Sequence, residues 1–277
     1  MRTRVYHHTG KKERQLEKTP LVVVSRFNIF SEVYPHLATA EWDHKRAQAF
    51  KKYLLPSLTR QRIKPDAFYF LIDEDIRTPV SQLLEDLKHI PWVKPIVIPR
   101  SLGFTRFGKA VHTAIETEFP NRNGLICVRV DSDDALNTHF FNTLEACIQD
   151  HILSIDTVPR ISFIHFPYGL IKDSETYRVY VEHQTAFISS YTHGNGRVDT
   201  CCSYAHDRMS DAGPVLEIAT EVPMWLYVRH GDNIGLVHPY RFPISGPFHE
   251  VASLFGLQEA TSPEVHSLKP INGGSTS

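Results

Sequence analysis

The 277-residue sequence predicts an α/β fold: a single domain on a mixed, mostly parallel sheet flanked by helices. Three observations predict it. Uninterrupted apolar runs such as "LVVV", "AFYFLI" and "LICV" lack the alternation of a half-exposed strand and suit strands covered on both faces. Segments of helical periodicity separate those runs. Two of the runs end in clustered aspartates, which marks where they leave the interior.

The first strand is "PLVVVSRF" (20–27). From Trp42 to Leu58, the apolar residues Trp42, Ala49, Phe50, Tyr53 and Leu54 fall near helical spacing. "AFYFLIDED" (67–75) is a second buried strand. Pro79 then opens a helix with Val80, Leu83, Leu84, Leu87 and Ile90 on one stripe, at a position where proline is tolerated. "VKPIVIP" (93–99) is a third strand, and 106–119 a helix with Val111, Ala114, Ile115 and Phe119 inward. The turn "NRNG" leads into "LICVRV", the fourth strand, and a helix follows over Thr138 to Ile152. Strands alternating with helices of this length wind a parallel sheet through right-handed crossovers.

The second half changes character. "RISFIHFPYGLI", "TYRVYVEH" and "TAFISSYT" read as extended, the first two joined by a "KDSE" turn. "SYAHDRMSD" is a short helix or loop and "MWLYVRHGDN" a further strand. The expected organisation is a basic arm over 1–18, the catalytic-type domain over 19–247 and a partly disordered tail over 248–277.

An apolar fraction of 42% with 22% charged residues fits an ordinary globular protein. The net charge of −1 gives no global attraction to nucleic acid, and no nucleic-acid partner is expected. No apolar run approaches the ~20 residues that span a bilayer. The basic N-terminus lacks the apolar segment of a secretory signal, so a cytoplasmic setting with reduced thiols is expected. Peripheral association with the inner face of the membrane stays open, as does the oligomeric state. Of the four cysteines, Cys201 and Cys202 with His206 make a three-donor zinc candidate that lacks a fourth ligand.

The feature that carries chemistry is "VRVDSDD", three aspartates within four residues at the end of the fourth strand. Ligands of open α/β sheets bind beyond the carboxyl ends of the strands. Asp131 and Asp133, at i and i+2, share one face of an extended segment, while Asp134 points elsewhere and can cap the next helix. Paired carboxylates suit Mn²⁺ or Mg²⁺ completed by substrate phosphates. An EF-hand register from Asp131 fails at Ala135, Leu136 and Asn142. A haloacid-dehalogenase-type motif belongs on the first strand rather than the fourth. An Asp-x-Asp ending a middle strand fits a nucleotide-sugar glycosyltransferase.

"LVVVSRFNIF", "LLPSLTRQ", "FYFLIDED", "VRVDSDDALNTHFFNTL", "AHDRM" and "PMWLYVRHGDN" resemble, in that order, the family of rhamnosyltransferases with a GT-A (Rossmann-like) fold. The resemblance spans roughly residues 20 to 240. It implies a metal-dependent enzyme that moves a sugar, rhamnose by that likeness, from a nucleotide-sugar donor to a glycan or lipid-linked acceptor; inversion at the anomeric centre is assumed. It implies metal and diphosphate binding at Asp131 and Asp133, and a late metal ligand at His230. Asp73 and Arg26 would meet the nucleotide, and Arg106 and Lys109 the phosphates. An attacking hydroxyl needs a base, for which Asp199, His206, Asp207 and Asp211 are available and the likeness favours His206 or Asp207. The competing reading is a catalytically silent carbohydrate- or nucleotide-binding protein with the same shell.

Overall fold

The computed structural model describes residues 4–6, 19–29, 39–102, 107–173, 176–182, 187–230, 242–243 and 248–257. Among the described residues, thirteen strands and six α-helices follow in chain order: β1 (Arg4–Tyr6), β2 (Leu21–Arg26), α1 (Ala40–Lys52), α2 (Leu54–Thr59), β3 (Ala67–Asp73), α3 (Thr78–Leu87), β4 (Val93–Ile98), α4 (Phe107–Glu118), β5 (Gly124–Arg129), β6 (Ala135–Leu136), α5 (Phe140–His151), β7 (Ile161–His165), β8 (Tyr168–Asp173), β9 (Thr176–Val181), β10 (Ile188–His193), β11 (Val215–Thr220), β12 (Trp225–Arg229), β13 (Phe242–Pro243) and α6 (Phe248–Leu254).

Eight strands form the main sheet in the order β1-β11-β7-β10-β5-β2-β3-β4. All its pairings are parallel except those of β10, which runs antiparallel to both β5 and β7. The sheet is therefore mixed and mostly parallel, as the sequence predicts. Its central runs are continuous because both faces are covered. Leu21, Val23, Phe68, Phe70, Ile126 and Val128 pack against α1, α2, α3 and α5. Val22, Val24, Tyr69, Leu71, Leu125 and Cys127 face α4 and the segment around Val198 to Met209.

A second sheet, β13-β9-β8-β12-β6, has its own small core of Tyr53, Ala135, Leu170, Tyr177, Leu226, Val228 and Phe255. Trp225, next to Leu226 on β12, points the other way into the main core. It stacks on Phe187 with ring centroids 4.7 Å apart, and donates from Nε1 to the Phe166 carbonyl at 2.7 Å. Trp225, with Leu136 of β6, thus ties the small sheet to the main core.

Three details depart from the sequence reading. The helix expected over 42–58 breaks at Tyr53. Pro56 lacks an N–H and would clash with the carbonyl four residues back, so the break places it in the first turn of α2. "RISFIHFPYGLI" is two strands in different sheets, β7 and β8, separated at Phe166–Pro167. Strands β6 and β11 were not anticipated; β11 carries the buried Glu217 and lacks a clean period. Helix α6 and the buried Phe255 lie within the stretch read as a tail, and β1 within the basic arm.

Candidate active site

Strands β2, β3 and β5 are parallel neighbours, so their carboxyl ends open on one edge of the sheet. Arg26 is the last residue of β2 and Asp73 the last of β3, and the aspartate turn follows β5. Asp134 N donates to the Asp131 carbonyl at 3.2 Å, closing that turn.

Each aspartate of the turn meets a different partner. Arg26 Nη2 donates to Asp131 Oδ1 at 3.1 Å, and this carboxylate keeps 32% of its side-chain surface exposed. Asp133 is buried. Its Oδ2 accepts from Arg46 Nη1 at 2.5 Å and lies 2.7 Å from His230 Nε2. Arg46 also donates to Ser132 Oγ at 2.6 Å and lies over the Trp42 ring. Burial alone would raise the Asp133 carboxyl, but Arg46 and His230 overcome it and hold the group below the ordinary carboxylate value.

Asp134 is the correction to the sequence reading. It does not cap a helix, because α5 begins only at Phe140 and the β6 strand intervenes. Its Oδ1 accepts from the Val228 N–H at 2.8 Å, pinning β12 beside the turn. Burial first, then the charges of Asp133 and Asp131, push this carboxyl well above the ordinary value. The turn before α5 is made instead by Asn137, whose Oδ1 accepts from His139 N at 2.9 Å.

At the end of β3, Asp73 is buried and its backbone N–H donates to Asn28 Oδ1 at 2.8 Å. Asp73 Oδ1 accepts from Arg100 Nη2 at 3.1 Å, and half of that arginine lies in solvent. Asn28 Nδ2 reaches Asp43 Oδ1 at 3.3 Å, and Arg77 Nε donates to Asp43 Oδ2 at 2.6 Å. The ends of β2 and β3 are therefore tied to α1, the helix that supplies Arg46.

Arg106 lies outside the described residues. Lys109 is exposed on α4, and no contact of the described residues joins it to the carboxylates. His206 opens a short 3-10 turn, His206–Asp211, with Asp207 exposed beside it. His206 is itself exposed, and partial desolvation, then the guanidinium groups of Arg129 and Arg26, hold the imidazole below its ordinary value against the pull of Asp207 and Asp131. Asp199 is engaged by Arg160 at 2.7 Å and Tyr204 Oη at 2.9 Å, and Asp211 by Arg208 at 3.0 Å. Tyr177, Tyr191 and Trp225 are core residues.

Arg46, Arg129, Asn28, Asp43 and Arg100 were missed from sequence. A signal existed for two of them: Asp43 and Arg46 stand on the buried stripe of α1 with Trp42, Ala47 and Phe50. Charged residues at core-facing positions mark groups with fixed partners.

Asp131, Asp133 and His230 offer carboxylate oxygens and an imidazole nitrogen, the donor types that suit Mn²⁺ or Mg²⁺. Asp133 is anionic and Asp131 half-exposed, so the set fits a divalent cation in kind. His230 Nε2 is directed at Asp133 Oδ2, 2.7 Å away. Among the described residues, the group whose ligand atoms all lie within 4.8 Å of one another is a different one, Cys127, Cys201 and Cys202. His206 takes no part in it.

A family model described as "putative rhamnosyl transferase" matches residues 27–239. No curated protein matches the chain. Among solved structures, mouse xyloside xylosyltransferase 1 is 13% identical, with a TM-score of 0.37, covering 72% of this chain and 84% of its own. The inositol-1-phosphate CTP transferase of T. maritima is 9% identical, TM-score 0.37, covering 76% and 90%. The 4-diphosphocytidyl-2C-methyl-D-erythritol synthase of Anaerococcus prevotii is 8% identical, TM-score 0.40, covering 75% and 90%.

Proposed function

The chain belongs to the family described as putative rhamnosyl transferase, and from that premise we propose that it transfers a sugar, rhamnose by the family's description, from a nucleotide-sugar donor to a glycan or lipid-linked acceptor. The observation that carries the reading is the convergence of Arg26, Asp131, Arg46, Asp133 and His230 at one strand edge. A site with alternating fixed charges and an exposed carboxylate is suited to a diphosphate and its counter-ion.

In this reading Asp131, Asp133 and His230 would hold Mn²⁺ or Mg²⁺, which when bound would supply Lewis-acid neutralisation of the departing diphosphate. Arg46 keeps Asp133 ionised and in place, because the guanidinium is always charged and makes two directed bonds to the turn. Arg26, with 18% of its side chain exposed, can turn from Asp131 to a donor phosphate oxygen. Asp73 receives the nucleotide once Arg100, its half-exposed partner, moves aside. His206, neutral at pH 7, accepts the proton of the acceptor hydroxyl as oxygen attacks the anomeric carbon, and Asp207 steadies the imidazolium that forms. A single displacement of this kind inverts the anomeric centre.

The test is turnover of a panel of nucleotide sugars with Mn²⁺, for the wild type, Asp131→Asn and His206→Ala. Transfer or slow donor hydrolysis is expected in the wild type. His206→Ala should lose about 10²–10⁴-fold in kcat while still binding nucleotide. In the wild type the acid limb of the pH–rate profile should lie below 6.5, the ordinary histidine value. Nucleotide binding without turnover of any donor would favour the silent-shell reading instead.

A further inference from the structure

On the α4 face of β5, three buried thiols are gathered behind the site. Cys127 stands opposite Ser190 in the β5–β10 register, and the Ser190 hydroxyl accepts from Cys201 N at 2.9 Å. Cys201 Sγ lies 3.8 Å from Cys127 Sγ, and all three sulfurs, with Cys202, lie within 4.8 Å of one another. None of them exceeds 6% exposure. Cys147 packs separately in the opposite core, as an isolated buried thiol ordinarily does.

Two further facts bear on what this cluster holds. Zinc–thiolate bonds of about 2.3 Å at a tetrahedral angle put neighbouring sulfurs about 3.8 Å apart. Arg129, two residues beyond Cys127, is buried and donates to the carbonyls of Cys201 at 3.3 Å and Tyr204 at 3.2 Å. Among the described residues no carboxylate pairs with it. A buried guanidinium calls for a compensating negative charge nearby. Three thiolates around a divalent ion carry one net negative charge, which Arg129 balances.

We propose that Cys127, Cys201 and Cys202 form a structural site for a thiophilic cation, zinc(II) in preference to copper(I) on charge, tying β5 to the segment that carries His206. The thiols release their protons to solvent as the ion binds, and loading accompanies folding because the finished site is closed. The fourth zinc ligand is a water or a backbone carbonyl. Sulfur donors separate this site from the oxygen-rich set at Asp131 and Asp133. The inference is independent of the sugar-transfer reading.

The test is elemental analysis of the full chain isolated without chelators, alongside Asp131→Asn, Cys127→Ser and Cys201→Ser. About one zinc or copper ion per chain is expected in the wild type and Asp131→Asn, and loss of it in both cysteine variants. Zinc or copper distinguishes the ion, and either supports the site. Cobalt(II) added during refolding of the wild type should give thiolate-to-cobalt charge-transfer absorption, which decides the matter if the serine variants do not fold. A folded, metal-free chain without that absorption overturns the proposal. So does a Cys127–Cys201 disulfide in the peptide map, or an ion that leaves with Asp131→Asn and stays in the cysteine variants.

Discussion

Asp133 and Asp134 are consecutive carboxyl groups held in opposite protonation states by their surroundings. Arg46 and His230 keep Asp133 ionised, whereas Asp134, buried against a backbone N–H and two negative neighbours, keeps its proton. Asp133→Asn would strand the buried Arg46 without its anion, and urea denaturation should show a loss of about 3–5 kcal/mol. Asp134→Asn preserves an acceptor for Val228 and should be tolerated. Its advantage should grow with pH in metal-free buffer: a folded pKa above the unfolded one gives stability below the ordinary carboxylate value, and this is lost as pH rises towards the folded pKa. A wild type that gains on Asp134→Asn between pH 4 and 8 would show the opposite protonation. The sequence made the three acids visible, and the i, i+2 spacing separated Asp134 from the other two. What it hid was Asp134's partner, because Val228 is 94 residues away and enters through strand pairing.

Among the elements, legibility follows burial. Strands β2, β3 and β5 stand out because both their faces are covered, so nearly every position is apolar. Strands β6 and β11 do not: one has two residues, and the other buries only the adjacent pair Glu217 and Ile218, so no period shows. The same holds for α1, where Asp43 and Arg46 occupy core-facing positions that periodicity assigns to apolar residues. Strand β8 is the most constrained by a neighbour. A Cβ at Gly169 would lie 2.1 Å from the Trp225 indole, a rigid ring fixed by its own hydrogen bond and stacking. Gly169→Ala should therefore cost about 1–3 kcal/mol by urea denaturation, with near-ultraviolet dichroism reporting a displaced tryptophan. An unchanged midpoint would mean that β8 and β12 slide apart at little cost.

At the scale of the molecule, the candidate site belongs to no single layer. Arg46 comes from a helix on one face, the aspartate turn from the large sheet and His230 from the end of β12 in the small one. A chain ended after Thr220 would lose Trp225 from the main core, Leu226 and Val228 from the small core, His230 from Asp133 and the Val228 N–H from Asp134. It should lack a cooperative thermal transition, whereas the whole chain should show one. The fold class was readable because it depends on patterns within each segment; the site was readable only in outline, because its contacts join residues far apart in sequence. The separation of 97 positions between Asp133 and His230 also imposes an order on biosynthesis. Arg46 has already left the ribosome when Asp133 emerges, but His230 has not been made. The nascent chain can neutralise this carboxylate with its arginine long before it can finish the site.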